Sequence, residues 1–203
     1  MLYKKGNKQL FQIHIPRTGG RFTRNIFEEN FFDFYFGDYS VKFQGIEIPH
    51  LHYPIYNNLE QVEYCPNFCV VRNPFEKFKS TMQLVIKGRK YSDEIYEVMK
   101  DKDWLFGFLD CEKNTGLYET NCLRDQSEFI SKETKIWKFE DGLGIEYIKW
   151  LNNLFDLSLI EKIYDKNYNL GEFEIIKNSQ QIDPSVEELI KEYYAKDYES
   201  FNY

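Results

Sequence analysis

The chain is poor in cysteine and histidine, with 4 and 3 among its 203 residues. No two of Cys65, Cys69, Cys111 and Cys122 form a C-x-x-C pair, which excludes a zinc ribbon and a dithiol redox motif and predicts buried or incidental free thiols. Proline is scarce too, at 6 residues, and without repeats or biased stretches the chain is neither collagen-like, disordered nor a repeat array. No run of roughly 18 apolar residues occurs, so no membrane-crossing helix is predicted. The opening MLYKKGNKQLFQIHI lacks the apolar run of a signal peptide, and no N-x-[ST] acceptor occurs, so a soluble, cytoplasmic protein is expected. Basic residues are outnumbered, 26 against 33 acidic, for a net charge of −7. That balance excludes a nucleic-acid-coating protein or a general membrane-surface binder, so any anion site must be local.

What the chain does have is the length for one α/β domain over 1–203, with a substantial core and little room for a second unit. It also has one unusual turn. In Ile13 to Phe27, IHIPRTGGRFTRNIF, an apolar alternation over Leu10 to Ile15 meets Pro16 and reads as a strand. A glycine turn follows, and Thr18 to Asn30 reads as a helix. Strand, turn and helix in that order aim backbone N–H groups and the positive end of a helix dipole at one spot. Gly19 and Gly20 permit close backbone approach, while Arg17, Arg21 and Arg24 add charge. Taken alone, the stretch is either an anion site or an ordinary βα turn with solvated arginines.

Aromatic residues make up 18% of the chain and crowd into Phe31 to Tyr39, FFDFYFGDY, where Phe32, Phe34 and Phe36 would share one face of an extended segment. That face belongs to the core, or part of it lines a cleft where flat rings stack on a sugar. Gly45 to Tyr56 carries His50 and His52 between two prolines; in an extended stretch both imidazoles would enter one cleft, as candidate bases. No third ligand stands nearby in sequence, so no metal site is predicted.

Phe68 to Arg72 reads as a strand of a covered parallel sheet. Asn73 then serves as N-cap and Pro74 as first residue of a helix whose buried stripe is Phe75, Phe78, Met82 and Val85, with Lys77, Ser80 and Lys87 opposite. Arg72 at the strand end and Ser80 on the exposed helix face would reach one phosphate. Between 72 and 90 stand six basic residues, with Glu76 the only acidic one, a local positive balance in an acidic chain. Further helices are predicted over 91–110 (stripe Ile95, Val98, Met99) and Leu123 to Ile130, and a strand over Lys135 to Phe139. Gly144 to Phe155 reads as an amphipathic helix on Ile145, Ile148, Leu151 and Leu154. A last helix runs from Asp183-Pro184 through Tyr194 toward the C-terminus. Strands alternating with helices imply an α/β fold with a mostly parallel sheet, whose ligands sit beyond the carboxyl ends of the strands.

Three separated pieces of this sequence resemble the sulfotransferases that use 3′-phosphoadenosine 5′-phosphosulfate, most closely the carbohydrate branch that includes heparan sulfate 2-O-sulfotransferase-like enzymes. IPRTGG, Ile15 to Gly20, is similar to the family's 5′-phosphosulfate loop, P-K-T-G-G followed by hydroxyl residues. VRNPFEKFKS, Val71 to Ser80, is similar to its 3′-phosphate motif, R-N-P-x-x-R-x-x-S, with arginine and serine eight positions apart. His50-Leu51-His52 has the spacing of an H-x-H pair in the 2-O-sulfotransferase relatives, and LRDQSEFI, IWKFEDGL and the tail IKEYYAKDYESFNY add weaker support.

The resemblance implies a P-loop NTPase-like three-layer sandwich and metal-free, in-line sulfuryl transfer to an acceptor hydroxyl, of a saccharide or a small molecule. It implies that Pro16, Arg17, Thr18, Gly19, Gly20, Arg21 and Thr23 hold the phosphosulfate and that Arg72 and Ser80 hold the 3′-phosphate. His52, and after it His50, would be the base, with Arg17 stabilising the leaving phosphate. The chain departs from the family pattern at Arg17 for lysine, at Arg21 and Phe22 for hydroxyl residues, and at Lys77 for the second arginine. A guanidinium does not readily give up a proton, so Arg17 would be a poor general acid. Two other readings remain: a donor-nucleotide-binding protein of the same fold with weakened catalysis, and a P-loop kinase relative, against which the missing Walker lysine counts.

Overall fold

The computed structural model of the chain describes residues 1–43, 45–53, 55–60, 62, 64–89, 101–103, 105–107, 109, 121–161 and 184–203, of which 83–89 and 184 by backbone alone. It opens with a hairpin of β1 (Leu2–Lys5) and β2 (Lys8–Ile13), paired Lys5 with Lys8 through Leu2 with Phe11. Gly6, at φ +57°, supplies the left-handed turn that a two-residue hairpin requires. Helix α1 (Gly20–Glu29) follows, then β3 (Asp33–Tyr35), a small ribbon of β4 (Lys42–Phe43) and β5 (Ile46–Glu47), and two short 3-10 turns at Ile48–His50 and Tyr56–Asn58. Strand β6 (Asn67–Val71), helix α2 (Pro74–Arg89), a 3-10 turn at Gln126–Glu128, strand β7 (Lys135–Lys138), a 3-10 turn at Phe139–Asp141 and helices α3 (Ile145–Phe155), α4 (Pro184–Tyr193) and α5 (Ala195–Phe201) follow.

The strands form a mixed five-stranded sheet in the order β3-β1-β2-β6-β7. β2, β6 and β7 are parallel, and β1, which the sequence reading did not foresee, runs against both its neighbours. Alternation along β6 explains why both faces are covered. Phe68 and Val70 join a core with Ile26 and Phe27 of α1 and Ile148 and Leu151 of α3. Cys69 and Val71 point the other way, onto Phe129, Leu51, Val62 and Phe201 of α5. A third cluster packs Phe78 and Met82 of α2 against Val186, Leu189 and Ile190 of α4.

Several expectations change. Lys77 is 2% exposed and Ser80 8%, so neither lies on an exposed helix face. The Lys77 ammonium reaches instead into the 121–124 segment, donating to the Cys122 carbonyl at 2.7 Å and the Arg124 carbonyl at 3.1 Å. Burial lowers its pKa, with Asp197 and then Cys122 and Asp125 opposing. Leu154, expected in the buried stripe of α3, is exposed, and Tyr147 takes its place in the core. Leu123 to Ile130 forms only a 3-10 turn, at Gln126–Glu128, and the final helix breaks at Tyr194. Asn73 does cap α2, its Oδ1 accepting from the N–H groups of Phe75 (3.0 Å) and Glu76 (3.2 Å). Cys65, Cys69 and Cys122 are buried; Cys111, the Ile95–Met99 stripe and the Asp183 cap lie outside the described residues.

Candidate functional site

Because β2, β6 and β7 are parallel neighbours, their carboxyl ends open along one edge, and the glycine turn, Arg72 and Phe139 follow directly from those ends. The turn is built from unusual backbone. Arg17 has φ +68° and Gly19 φ +92°, the first uncommon for a residue with a side chain. Thr18 ties the turn back through its hydroxyl, which donates to the Ile15 carbonyl at 2.8 Å. Gly19 caps α1 without a side-chain hydrogen bond, and the first turn holds no acidic residue. Both features suit an anion at the helix start. Gly20 lies under the His14 ring so closely that a Cβ there would stand 2.8 Å from His14 Cε1 and nearer still to Cδ2 and Nε2.

The two motifs meet. Arg17 Nε donates to Ser80 Oγ at 3.0 Å, and Arg72 Nη1 donates to the Arg17 carbonyl at 3.4 Å. The Arg72 guanidinium lies over the Phe139 ring, 4.6 Å from its centroid, with a buried Nε that has no hydrogen-bond partner. Its backbone is clamped by Gln126, whose amide oxygen accepts from Arg72 N at 2.9 Å and whose amide nitrogen donates to Arg72 O at 2.7 Å. Gln126 is itself held through its own N–H by the buried carboxylate of Asp197 at 2.8 Å. Burial lowers the pKa of Arg17, Cys122 opposes, and Arg72 and Arg21 add to the lowering. Burial likewise lowers Arg72, with Glu76 and Glu140 opposing. Like charges gathered in a half-buried place, with an unpaired N–H among them, are relieved by an anion.

Not every residue expected at this mouth faces it. Pro16 and Thr18 are buried, and the Thr23 hydroxyl lies in the core 3.0 Å from Tyr147 Oη, so it is not at hand for a ligand in the turn. Arg21 is exposed, and its charge opposes the rise that burial causes in the pKa of Tyr39.

The two candidate bases diverge, because Ile48–His50 is a 3-10 turn and not an extended strand. His50 is buried against His14 (centroids 4.8 Å) and Tyr39 (5.4 Å), with Glu47 Oε2 2.9 Å from its Nδ1 in an oblique contact. His52 stands on the other side, its ring against Phe129 and its Nδ1 3.3 Å from Asn121 Nδ2. Burial lowers the pKa of all three histidines. His52 falls to about 4, with Arg124 adding to the effect and Glu128 opposing, while Glu47 opposes it at His50. Each imidazole is therefore neutral near pH 7 and able to accept a proton.

Sequence reasoning missed His14, Tyr39, Gln126 and Asp197. His14 and Tyr39 carried a signal in standing beside the glycine turn and at the end of the aromatic run, and Gln126 stood in LRDQSEFI. Asp197 stood in the tail IKEYYAKDYESFNY. Among the described residues no group of three or more histidine, cysteine or carboxylate side chains stands together as a metal centre would. No family model, curated protein or solved structure matches this chain.

Proposed function

We propose that this chain is a sulfotransferase, moving the sulfuryl group of 3′-phosphoadenosine 5′-phosphosulfate to the hydroxyl of a saccharide or small-molecule acceptor, on a P-loop NTPase-like three-layer sandwich. The observation that carries the reading is the 3.0 Å hydrogen bond from Arg17 to Ser80, residues 63 positions apart, which joins the two motifs that follow adjacent parallel strands. A donor with a 5′-phosphosulfate and a 3′-phosphate needs two neighbouring anion sites, and the arginines at β2 and β6 supply them. Gly19, Gly20 and the first turn of α1 receive the phosphosulfate; Arg72 and Ser80 receive the 3′-phosphate. Arg17, between them, stabilises charge on the leaving phosphate. A neutral imidazole, His52 or His50, takes the acceptor proton.

The desulfated donor, 3′,5′-adenosine diphosphate, tests this in a thermal melt. At 100 times its Kd it stabilises by about 2.7 kcal/mol, a rise in Tm of roughly 5 to 11 °C for a chain of this size. Arg72→Gln and Ser80→Ala each remove most of that rise. No shift with the intact protein at saturating nucleotide refutes the proposal. The inward-turned hydroxyl of Thr23 favours a second reading, a nucleotide-binding protein with weakened turnover. In that case the nucleotide still binds, while His52→Ala and His50→Ala leave any transfer unchanged.

A further inference from the structure

Beside the anion site runs an open groove of about 660 Å³, walled by Phe34, Tyr35, Tyr39, Val41 and Ile48, with Arg24 at its side. Its size suits a sugar of one or two rings. Aromatic faces interrupted by a guanidinium and the nearby Asp38 carboxylate match a ligand with apolar C–H faces and a rim of hydroxyls. Tyr39 ties the groove to the chemistry. Its hydroxyl lies 3.4 Å from His14 Nδ1, its ring stands edge-on to His50, and the His14 ring rests on Gly20 at the start of α1. Ile48 belongs to the same 3-10 turn as His50. Neither histidine lines the groove itself: His50 packs on its wall residue Tyr39, whereas His52 packs on Phe129 and Asn121, which are not among its walls.

We propose that this groove is the acceptor subsite, that it takes a saccharide laid against the aromatic wall, and that His50, backed by Glu47, is the base serving it. The inference rests on the sulfotransferase reading. Glu47 beside Nδ1 favours the proton on that nitrogen and leaves Nε2 to accept. In the step, the acceptor hydroxyl gives its proton to His50 Nε2 as its oxygen bonds to sulfur. The bond from sulfur to the bridging phosphate oxygen breaks, and its electron pair leaves with the 5′-phosphate of adenosine 3′,5′-diphosphate.

Saturation-transfer NMR with cellobiose, chitotriose and a heparosan tetrasaccharide tests the groove directly. At least one gives signal, and Tyr35→Ser or Val41→Asp, at side chains 50% and 44% exposed and so safe for folding, weakens it about tenfold. Both variants keep the full melting shift with 3′,5′-adenosine diphosphate. With the bound sugar as acceptor and radiolabelled donor, His50→Gln lowers kcat by about 10² to 10⁴ and His52→Gln changes it less than threefold. Three results overturn the proposal: no signal from any sugar, loss of the nucleotide shift in Tyr35→Ser or Val41→Asp, which assigns the groove to adenine, or a kcat loss confined to His52→Gln. If the intact protein shows no nucleotide shift but binds sugar in the groove, the sulfotransferase reading falls and the base assignment with it, while the sugar site stands.

Discussion

Replacing Gly20 by alanine tests the packing on which the anion turn depends. Gly20 begins α1 with an ordinary negative φ, so the effect is steric and not one of backbone strain. The added methyl would stand 2.8 Å from His14 Cε1 and closer to two other ring atoms, where carbon contacts prefer about 3.5 to 4.0 Å. His14 cannot simply swing aside: it is buried, with His50 at 4.8 Å between centroids and the Tyr39 hydroxyl at 3.4 Å. Overpacking of this kind costs about 1 to 3 kcal/mol, and alanine in place of glycine in a helix returns about 0.5 to 1. The net is a loss of up to about 2.5 kcal/mol, read from urea unfolding. In a His14→Ala background the clash is gone, so Gly20→Ala becomes neutral or stabilising and the double-mutant cycle gives a coupling of about 1 to 3 kcal/mol. Equal effects in both backgrounds, or a gain in stability with His14 present, refute the reasoning.

Lys77→Met keeps the side-chain volume but removes the two hydrogen bonds that the ammonium gives to the carbonyls of Cys122 and Arg124, leaving Thr81 Oγ1 at 3.4 Å on the first; a loss of about 1 to 3 kcal/mol in urea unfolding is expected. Asn73→Ala removes the cap of α2 and lowers stability by about 1 kcal/mol, a fall in Tm of roughly 2 to 4 °C. The histidines set an acid limit. The unfolded chain takes up a proton near pH 6.5 that His52 in the fold refuses until about 4, so its contribution is full above 6.5 and is lost as pH falls toward 4. His52→Gln therefore flattens the fall in Tm between pH 6.5 and 4.5, and an unchanged slope would contradict the neutral, half-buried imidazole.

Local order was legible wherever one short-range rule dominates. The turn at Pro16 to Gly20, the Asn73-Pro74 helix start, the apolar β6 and its end at Arg72 each rest on neighbours within a few residues, and the structure has them within a residue or two. The hairpin turn at Gly6 was equally local and was overlooked because Lys4, Lys5 and Lys8 break the apolar pattern that marks a strand. Amphipathic reasoning failed at Lys77 because a helical wheel distinguishes faces but not which of them meets solvent. Carbonyls 45 and 47 residues further along the chain decided that. The same limit applies to the histidines. The spacing of His50 and His52 could place them together only if the backbone stayed extended, and the 3-10 turn at Ile48 separates them.

The sequence by itself determined that there is a glycine turn rich in arginine, a second basic strand end, and helices and strands that alternate, because these follow from side-chain volume, backbone freedom and periodicity. Only the tertiary structure decided that Arg17 meets Ser80, that Gln126 and Asp197 hold the backbone of Arg72, and that His14, Tyr39 and His50 form one cluster beside a groove. Those contacts span 11 to 71 residues of chain, and no local rule reaches that far: for Arg17 and Ser80 the parallel register of β2 and β6 closes the distance.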